Sequence, residues 1–366
     1  MKIESISIQN FKLFENHSVS FKNKTLSEVS NRFLALGDNG SGKTTLLQAI
    51  ALPLALATRQ IQSVSDFNWL GFLPGRLWQS GIPRIHLEVS FEPEEIETTR
   101  EVAQNWYAAQ PKEFQSEQAF IEPGDSHCVQ VSINGDYWKA GQTPAERLQF
   151  QGRYYAKSLL KSNSSVRALF SKLPGIFWFD QFRNLRSNPY ADSMGELEKP
   201  GRISFELGVG LLRQYLIEWQ RRRDSGNQAD SMDYLSTLEN LYTSIFPERS
   251  FVGLQEIPSI DSPTAENAYF VINDGHHTYD IVEMSAGEQS VFPILYEFVR
   301  QQIAYSIVLI DEIDLNLHPP AAQFLVRQLP KIGPTCQFIF TTHSEAVSDI
   351  IGEEDTYRLL GGSLCL

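Results

Sequence analysis

Nine consecutive residues, Gly37-Asp38-Asn39-Gly40-Ser41-Gly42-Lys43-Thr44-Thr45, carry the densest chemical signal in the chain. They satisfy G-x-x-x-x-G-K-[ST] at every fixed position. The apolar run Phe33-Leu34-Ala35-Leu36 precedes them and Leu46-Leu47-Gln48-Ala49-Ile50 follows. A strand, a glycine loop and a helix start in that order are the context the motif requires. Such a loop aims successive backbone N–H groups at a phosphate chain, at a helix N-terminus where the dipole favours negative charge. Lys43 then reaches the β- and γ-phosphates, and the Thr44 hydroxyl sits on Mg²⁺. The segment implies a nucleoside triphosphate site.

Four further segments place polar residues where a strand or helix begins or ends. Ser306-Ile307-Val308-Leu309-Ile310 reads as a strand buried on both faces, and it runs into Asp311-Glu312. An aspartate there can hold Mg²⁺ through water, and the adjacent glutamate can orient or deprotonate an attacking water. Met284-Ser285-Ala286-Gly287-Glu288-Gln289 precedes helical spacing of Val291, Ile294, Leu295 and Phe298. Ser285 is the expected N-cap, with Glu288 completing a capping box. That role suffices by itself, yet an exposed helix N-terminus can also bind a phosphate from another subunit. Phe338-Ile339-Phe340-Thr341-Thr342-His343-Ser344 and Ile176-Phe177-Trp178-Phe179-Asp180-Gln181 are two more apolar runs ending in polar tips. In parallel sheets ligands sit at such C-terminal strand ends.

In this order the five segments resemble the nucleotide-binding head of the ABC-type ATPases. The resemblance is to the branch of RecF, the SMC proteins and the overcoming-lysogenization-defect nucleases, the branch of single-head ATPases found in bacterial antiviral systems. The alternating Ile3 to Asn10 followed by Phe11-Lys12, and Asp311 to Pro319 with its Leu317-His318-Pro319, are similar to that branch. Transporter heads usually differ there and at the signature, where this chain reads SAGEQ. The resemblance implies ATP and Mg²⁺ as cofactors. It assigns Gly37, Asn39, Gly40, Ser41, Gly42, Lys43, Thr44 and Thr45 to the phosphate loop, and Lys12 to the nucleotide as well. Gln181 senses metal and attacking water, Thr44 and Asp311 hold the metal, and Glu312 activates water. Ser285, Gly287 and Glu288 contact ATP on the opposite subunit, Asp314 to His318 form the inter-subunit loop, and His343 is the switch histidine.

The expected fold is an α/β ABC-type head, a mixed sheet flanked by helices, with a small inserted helical lobe. Residues 1–181 and 284–366 make the discontinuous head, and 182–283 make the lobe. Arg84 to Phe91 and Cys128 to Ile133 alternate strictly and fit a flanking antiparallel sheet, with a hairpin turn at Asn134-Gly135-Asp136. Leu207, Leu211, Leu212, Tyr215, Leu216 and Trp219 space as one helix, and Ser231 to Ile245 as a second, with a polar loop at Asp224 to Asp230. A further strand is expected from Thr356 to Leu360.

At 366 residues, 42% hydrophobic and 20% charged, the composition is that of an ordinary globular protein. The N-terminus alternates instead of holding an apolar block, and the most apolar stretch, Leu46 to Ala57, is too short for a bilayer. Three scattered cysteines form no CxxC and no disulfide framework, so a reducing, cytoplasmic compartment without membrane attachment is expected. No sustained heptads suggest a long coiled coil. The residues after His343 leave no room for a nuclease domain, so an effector, nuclease or toxin, is expected on a separate chain. Net charge is −13, but 147–223 holds 14 Lys and Arg against 6 Asp and Glu, which leaves nucleic-acid contact open there.

The leading expectation is an ATPase that sandwiches ATP between two heads, as a homodimer or higher oligomer, and acts as the sensor of a two-component antiviral or DNA-surveillance system. A RecF-like DNA clamp and an ATP-bound scaffold caging a toxic effector are the alternatives.

Overall fold

The computed structural model describes residues 1–69, 71–160, 163–181, 205–225, 233–257 and 268–359. The expected polar loop after Asp224, Ser231, the final Leu360 and the basic residues Arg183, Arg186, Lys199 and Arg202 lie outside them, wholly or largely. So do the side chains of Leu207 and Leu211.

The chain opens with β1 (Lys2–Phe11) and β2 (Phe14–Ser20), then β3 (Arg32–Leu36) and α1 (Lys43–Ala57). β4 (Arg84–Ser90), α2 (Pro93–Ala108), the short α3 (Lys112–Glu117), β5 (Cys128–Asn134) and β6 (Tyr137–Ala140) follow. The short α4 (Pro144–Leu148), α5 (Gly152–Leu160) and β7 (Gly175–Phe179) complete the first half. The second half holds α6 (Phe205–Asp224), α7 (Tyr234–Ile245), β8 (Ser250–Glu256), β9 (Ala268–Asn273) and β10 (Thr278–Asp280). It ends with α8 (Ala286–Gln301), β11 (Ser306–Ile310), α9 (Pro319–Ile332), β12 (Gln337–Thr342), α10 (Glu345–Ile351) and β13 (Thr356–Arg358).

Three sheets result. β2-β1-β4-β5-β6 is antiparallel throughout, and the expected hairpin at Asn134 to Asp136 joins β5 to β6. In β1 the buried residues are Ile3, Ile6, Ile8 and Phe11, and a register shift between Ile3 and Ser5 keeps one face inward despite the uneven spacing. β13-β3-β12-β11-β7 is wholly parallel. Alternate residues of its strands feed two cores. Phe33, Ala35, Ile176, Trp178, Ile307, Leu309 and Ile339 pack toward α1 and the antiparallel sheet. Leu34, Leu36, Phe177, Phe179, Val308, Ile310, Phe338 and Phe340 pack toward α6 to α10. Both faces are covered, which is why these strands read as unbroken apolar runs. All of α1 except Thr44 is buried between the two sheets, as a helix that is apolar on every side must be.

The lobe departs from the all-helical expectation. The helices α6 and α7 are present, but β8, β9 and β10 form a three-stranded antiparallel sheet beside them. Tyr269-Phe270-Val271-Ile272 supplies the aromatic and β-branched residues that suit a half-buried strand. Asp274 then makes a turn by accepting the N–H groups of His276 and His277.

Candidate functional site

Parallel strands deliver their C-terminal ends to one edge of the sheet, and this edge gathers the loop after β3 with the tips of β7, β11 and β12. Gly40 and Gly42 hold φ of 81° and 100°, the left-handed region where a side chain is strained. A Cβ on Gly42 would stand 2.9 Å from the Phe14 ring, so Phe14 of β2 fixes the back of the loop. A Cβ on Gly37 would lie 2.6 Å from Ser41 Oγ and 2.7 Å from the Leu359 carbonyl. Lys43 is buried and donates to the carbonyls of Gly37 at 2.8 Å and Asp38 at 3.1 Å.

The acidic strand end meets this loop. Thr44 donates its hydroxyl to Asp311 Oδ2 at 2.8 Å, and Thr341 donates to Oδ1 at 2.6 Å. The Thr341 hydroxyl also accepts the Glu312 N–H at 2.8 Å. Glu312 has a φ of 47°, unusual for a side chain and of a kind that clusters at functional sites. Its Oε1 lies 3.3 Å from Lys43 Nζ, and its Oε2 3.2 Å from His343 Nδ1. Thr342 donates to Asp314, which ties the end of β12 to the 314–318 loop. Because Phe179 pairs with Ile310, Gln181 stands two residues past its strand pair just as Glu312 does, and it is exposed.

Sequence reasoning picked out His343 but passed over Thr341 and Thr342, which read as ordinary strand residues. Lys12 is engaged on the flank of α1, donating to Gln48 Oε1 at 2.6 Å and the Gly71 carbonyl at 3.1 Å, and burial lowers its pKa.

The signature segment lies at the start of α8. Ser285 is exposed and makes the expected capping box: the Glu288 N–H donates to its Oγ at 3.3 Å, and its own N–H donates to Glu288 Oε2 at 3.0 Å. Gly287 packs against the 314–318 loop, where an added Cβ would meet the Asn316 carbonyl at 3.3 Å. Glu288, expected to face ATP, is buried instead. Its Oε1 accepts from Tyr242 Oη at 2.7 Å, Arg249 Nε at 2.8 Å and Tyr279 Oη at 2.9 Å. Burial alone would raise its pKa, but donations from Arg249, Tyr242 and Ser285 outweigh it and hold the carboxyl at about 2. Arg249 and the two tyrosines were not legible as partners of the motif.

Among the described residues of the basic segment, Arg153, Lys172, Arg213 and Arg222 have internal partners. Arg153 is buried and donates to four backbone carbonyls, those of Phe170, Leu173, Gln301 and Gln302. Lys172 pairs with Glu94, Arg213 with Asp280 and Arg222 with Glu218.

A phosphate chain fits this geometry. Ser41 Oγ is buried without a hydrogen-bond partner, next to the narrow gap at Gly37. Asp311 and Thr44 present hard oxygen donors of the kind Mg²⁺ takes alongside substrate phosphates. Among the described residues no cluster of three His, Cys, Asp or Glu side chains forms an all-protein metal site, and no helix is long and apolar enough to cross a membrane.

Comparisons with known proteins point to ATPase domains. Residues 1–142 match the family described as "AAA ATPase domain", and residues 203–349 the one described as "AAA domain, putative AbiEii toxin, Type IV TA system". The "Retron Vc95 probable ATPase" of Vibrio cholerae serotype O1 biovar El Tor is 21% identical, over 97% of this chain and 72% of its own length. The "Septu protein PtuA" of Bacillus mycoides (strain KBAB4) is 24% identical, over 93% of this chain and 38% of its own length. The "Retron Ec83 probable ATPase" of Escherichia coli is 29% identical, over 35% of this chain and 24% of its own length. The chain thus spans well under half of the last two. Among solved structures, an Smc head bound to the C-winged helix domain of ScpA superposes with a TM-score of 0.52. It is 14% identical, covering 96% of this chain and 92% of that one, a likeness of fold.

Proposed function

We propose that this chain, similar to AAA ATPase domains and retron ATPases and folded like an SMC head, is an ABC-type ATPase that hydrolyses ATP between two heads, as the switch of an antiviral defence system. The observation that carries this reading is the linked set of Lys43, Glu312 and His343 beside Thr44, Asp311 and Thr341. All six lie at the sheet edge where β3 leads into α1 and where β11 and β12 end. The phosphate-loop amides and Lys43 bind the β- and γ-phosphates. Ser41 Oγ gains there the partner it lacks, and Thr44 and Asp311 would hold Mg²⁺, which would supply positive charge against the phosphates.

Glu312 takes a proton from water as its oxygen bonds to the γ-phosphorus. The bond from that phosphorus to the bridging oxygen breaks, giving ADP and phosphate. His343 orients Glu312, and Gln181 would hold the water. The exposed N-terminus of α8, with Ser285 and Gly287, closes on phosphates held by a second copy. The defence role and a separate effector chain rest on similarity to retron and Septu proteins, an associational argument.

The test is a calorimetric titration with ATP and Mg²⁺. Lys43→Ala should lose most of the nucleotide affinity, because an ammonium that is paired with phosphate disappears from a preorganised loop. An unchanged titration would place the nucleotide elsewhere.

A further inference from the structure

Three donors from three parts of the lobe converge on one buried oxygen of the signature segment. Tyr242 comes from α7 and is fully buried, Arg249 from the junction of α7 with β8, and Tyr279 from β10. All three donate to Glu288 Oε1. Arg249 is itself fixed from both sides. Its backbone N–H donates to the Phe246 carbonyl at 2.9 Å, its carbonyl accepts from Thr243 at 3.0 Å, and its guanidinium reaches the Asp274 carbonyl in the β9–β10 turn at 3.4 Å. Glu288 is therefore the point where α7, β8 and β10 grip the start of α8.

The other carboxylate oxygen competes for the residue that would meet a phosphate. Ser285 Oγ has one proton, and it donates that proton to Glu288 Oε2 at 2.7 Å. The same hydroxyl cannot also donate to a phosphate oxygen. To do so it must leave Glu288, whose side chain is 4% exposed and so cannot turn to water for replacement. What makes the departure affordable is the charge on the far oxygen. With Arg249 and two tyrosines on Oε1, the carboxylate stays satisfied after Ser285 turns outward. Without them it holds the serine hydroxyl inward.

We propose that Arg249, assisted by Tyr242 and Tyr279, is a positioning residue that frees Ser285 to bind the phosphates of a second copy, so that the lobe sheet sets the readiness of the signature. A ligand or partner that shifts β8 or the β9–β10 turn would then act on nucleotide-driven pairing without touching the phosphate loop. This inference rests on the two-headed reading above.

The test uses the full chain carrying Glu312→Gln, where ATP and Mg²⁺ should accumulate a paired state. Arg249→Met, Arg249→Lys and Tyr279→Phe are added singly, and pairing is read by light scattering against protein concentration. ATP affinity of the dilute, unpaired protein is measured in parallel. Arg249→Met should weaken pairing about tenfold or more, the range of one lost hydrogen bond to a charged group. It should leave ATP affinity of the unpaired protein unchanged. Arg249→Lys should recover part of the loss, and the half-buried Tyr279→Phe should show a smaller loss in the same direction. Tyr279→Phe keeps the question open to refutation if Arg249→Met fails to fold. Absence of pairing in Glu312→Gln alone would overturn the two-headed reading. Pairing of Glu312→Gln that neither Arg249→Met nor Tyr279→Phe weakens would overturn this inference and leave that reading standing.

Discussion

The phosphate-loop edge and the signature end of this molecule are built on opposite terms. At the loop a buried hydroxyl, Ser41 Oγ, lacks a partner, Glu312 sits at a strained φ of 47°, and His343 lies exposed. At the signature each oxygen of Glu288 is bonded, and Ser285 is folded into a complete capping box. A buried polar group left unmatched is open to a partner that water or a ligand supplies. Groups already matched must be released before they can serve one. On that difference Ser41 Oγ can take a phosphate oxygen without giving up a bond, whereas Ser285 must first leave Glu288.

Both ends of α8 depend on an arginine, which makes the contrast open to experiment. Glu288 near the start leans on Arg249, while Arg153 donates to the Gln301 and Gln302 carbonyls at the close. Arg153 has no carboxylate partner in these bonds, and burial lowers its pKa to about 9. It serves as a cap on the last carbonyls of α8 and on the negative helix end.

The largest effect is expected at the loop edge. Glu312→Gln preserves side-chain volume but removes the base, and turnover of ATP should fall by roughly 10²–10⁴-fold with binding near normal. Phosphate release at the wild-type rate would remove Glu312 from the chemistry.

Next comes Arg153→Met. Four carbonyls lose a donor while one buried cation is relieved, so unfolding free energy should drop by about 3–5 kcal/mol. A denaturant midpoint equal to that of the wild type would show that the arginine is not the cap of α8.

The smallest effect concerns acid. The Glu288 carboxyl is held at about 2, below the 4.5 of a free glutamate. Its contribution is complete above about pH 4.5 and is lost as pH falls toward 2, to a limit on the order of 3 kcal/mol. Urea midpoints between pH 6 and 3 should slope less in Glu288→Gln than in the wild type. Equal slopes would mean that the carboxylate is not selectively stabilised.

Much of the loop edge was legible because its determinants are local. Glycine spacing and a buried strand ending in Asp311-Glu312 lie within short windows, as does the signature's serine three residues before a glutamate. The strands β4 and β5 and the hairpin at Asn134 to Asp136 came from alternation and turn chemistry in the same way. The lobe sheet was not legible: β9 is a short apolar run, and apolar runs of that length do not distinguish strand from helix. Nor were the partners of Glu288 in view. Tyr242 and Arg249 lie 46 and 39 residues away along the chain, and only folding brings them to one oxygen. Thr341 and Thr342 were in plain sight, but hydroxyls in a β-branched strand read as strand formers until Asp311 and Asp314 stand beside them.

The central claim is that two copies share the nucleotide, and light scattering of Glu312→Gln with ATP and Mg²⁺ tests it most directly. The account predicts a doubling of mass with ATP, none without it, and none when Ser285→Arg is added, because the arginine fills the space a partner's phosphate needs. A single-copy mass with ATP bound, or a pair that survives Ser285→Arg, would contradict it.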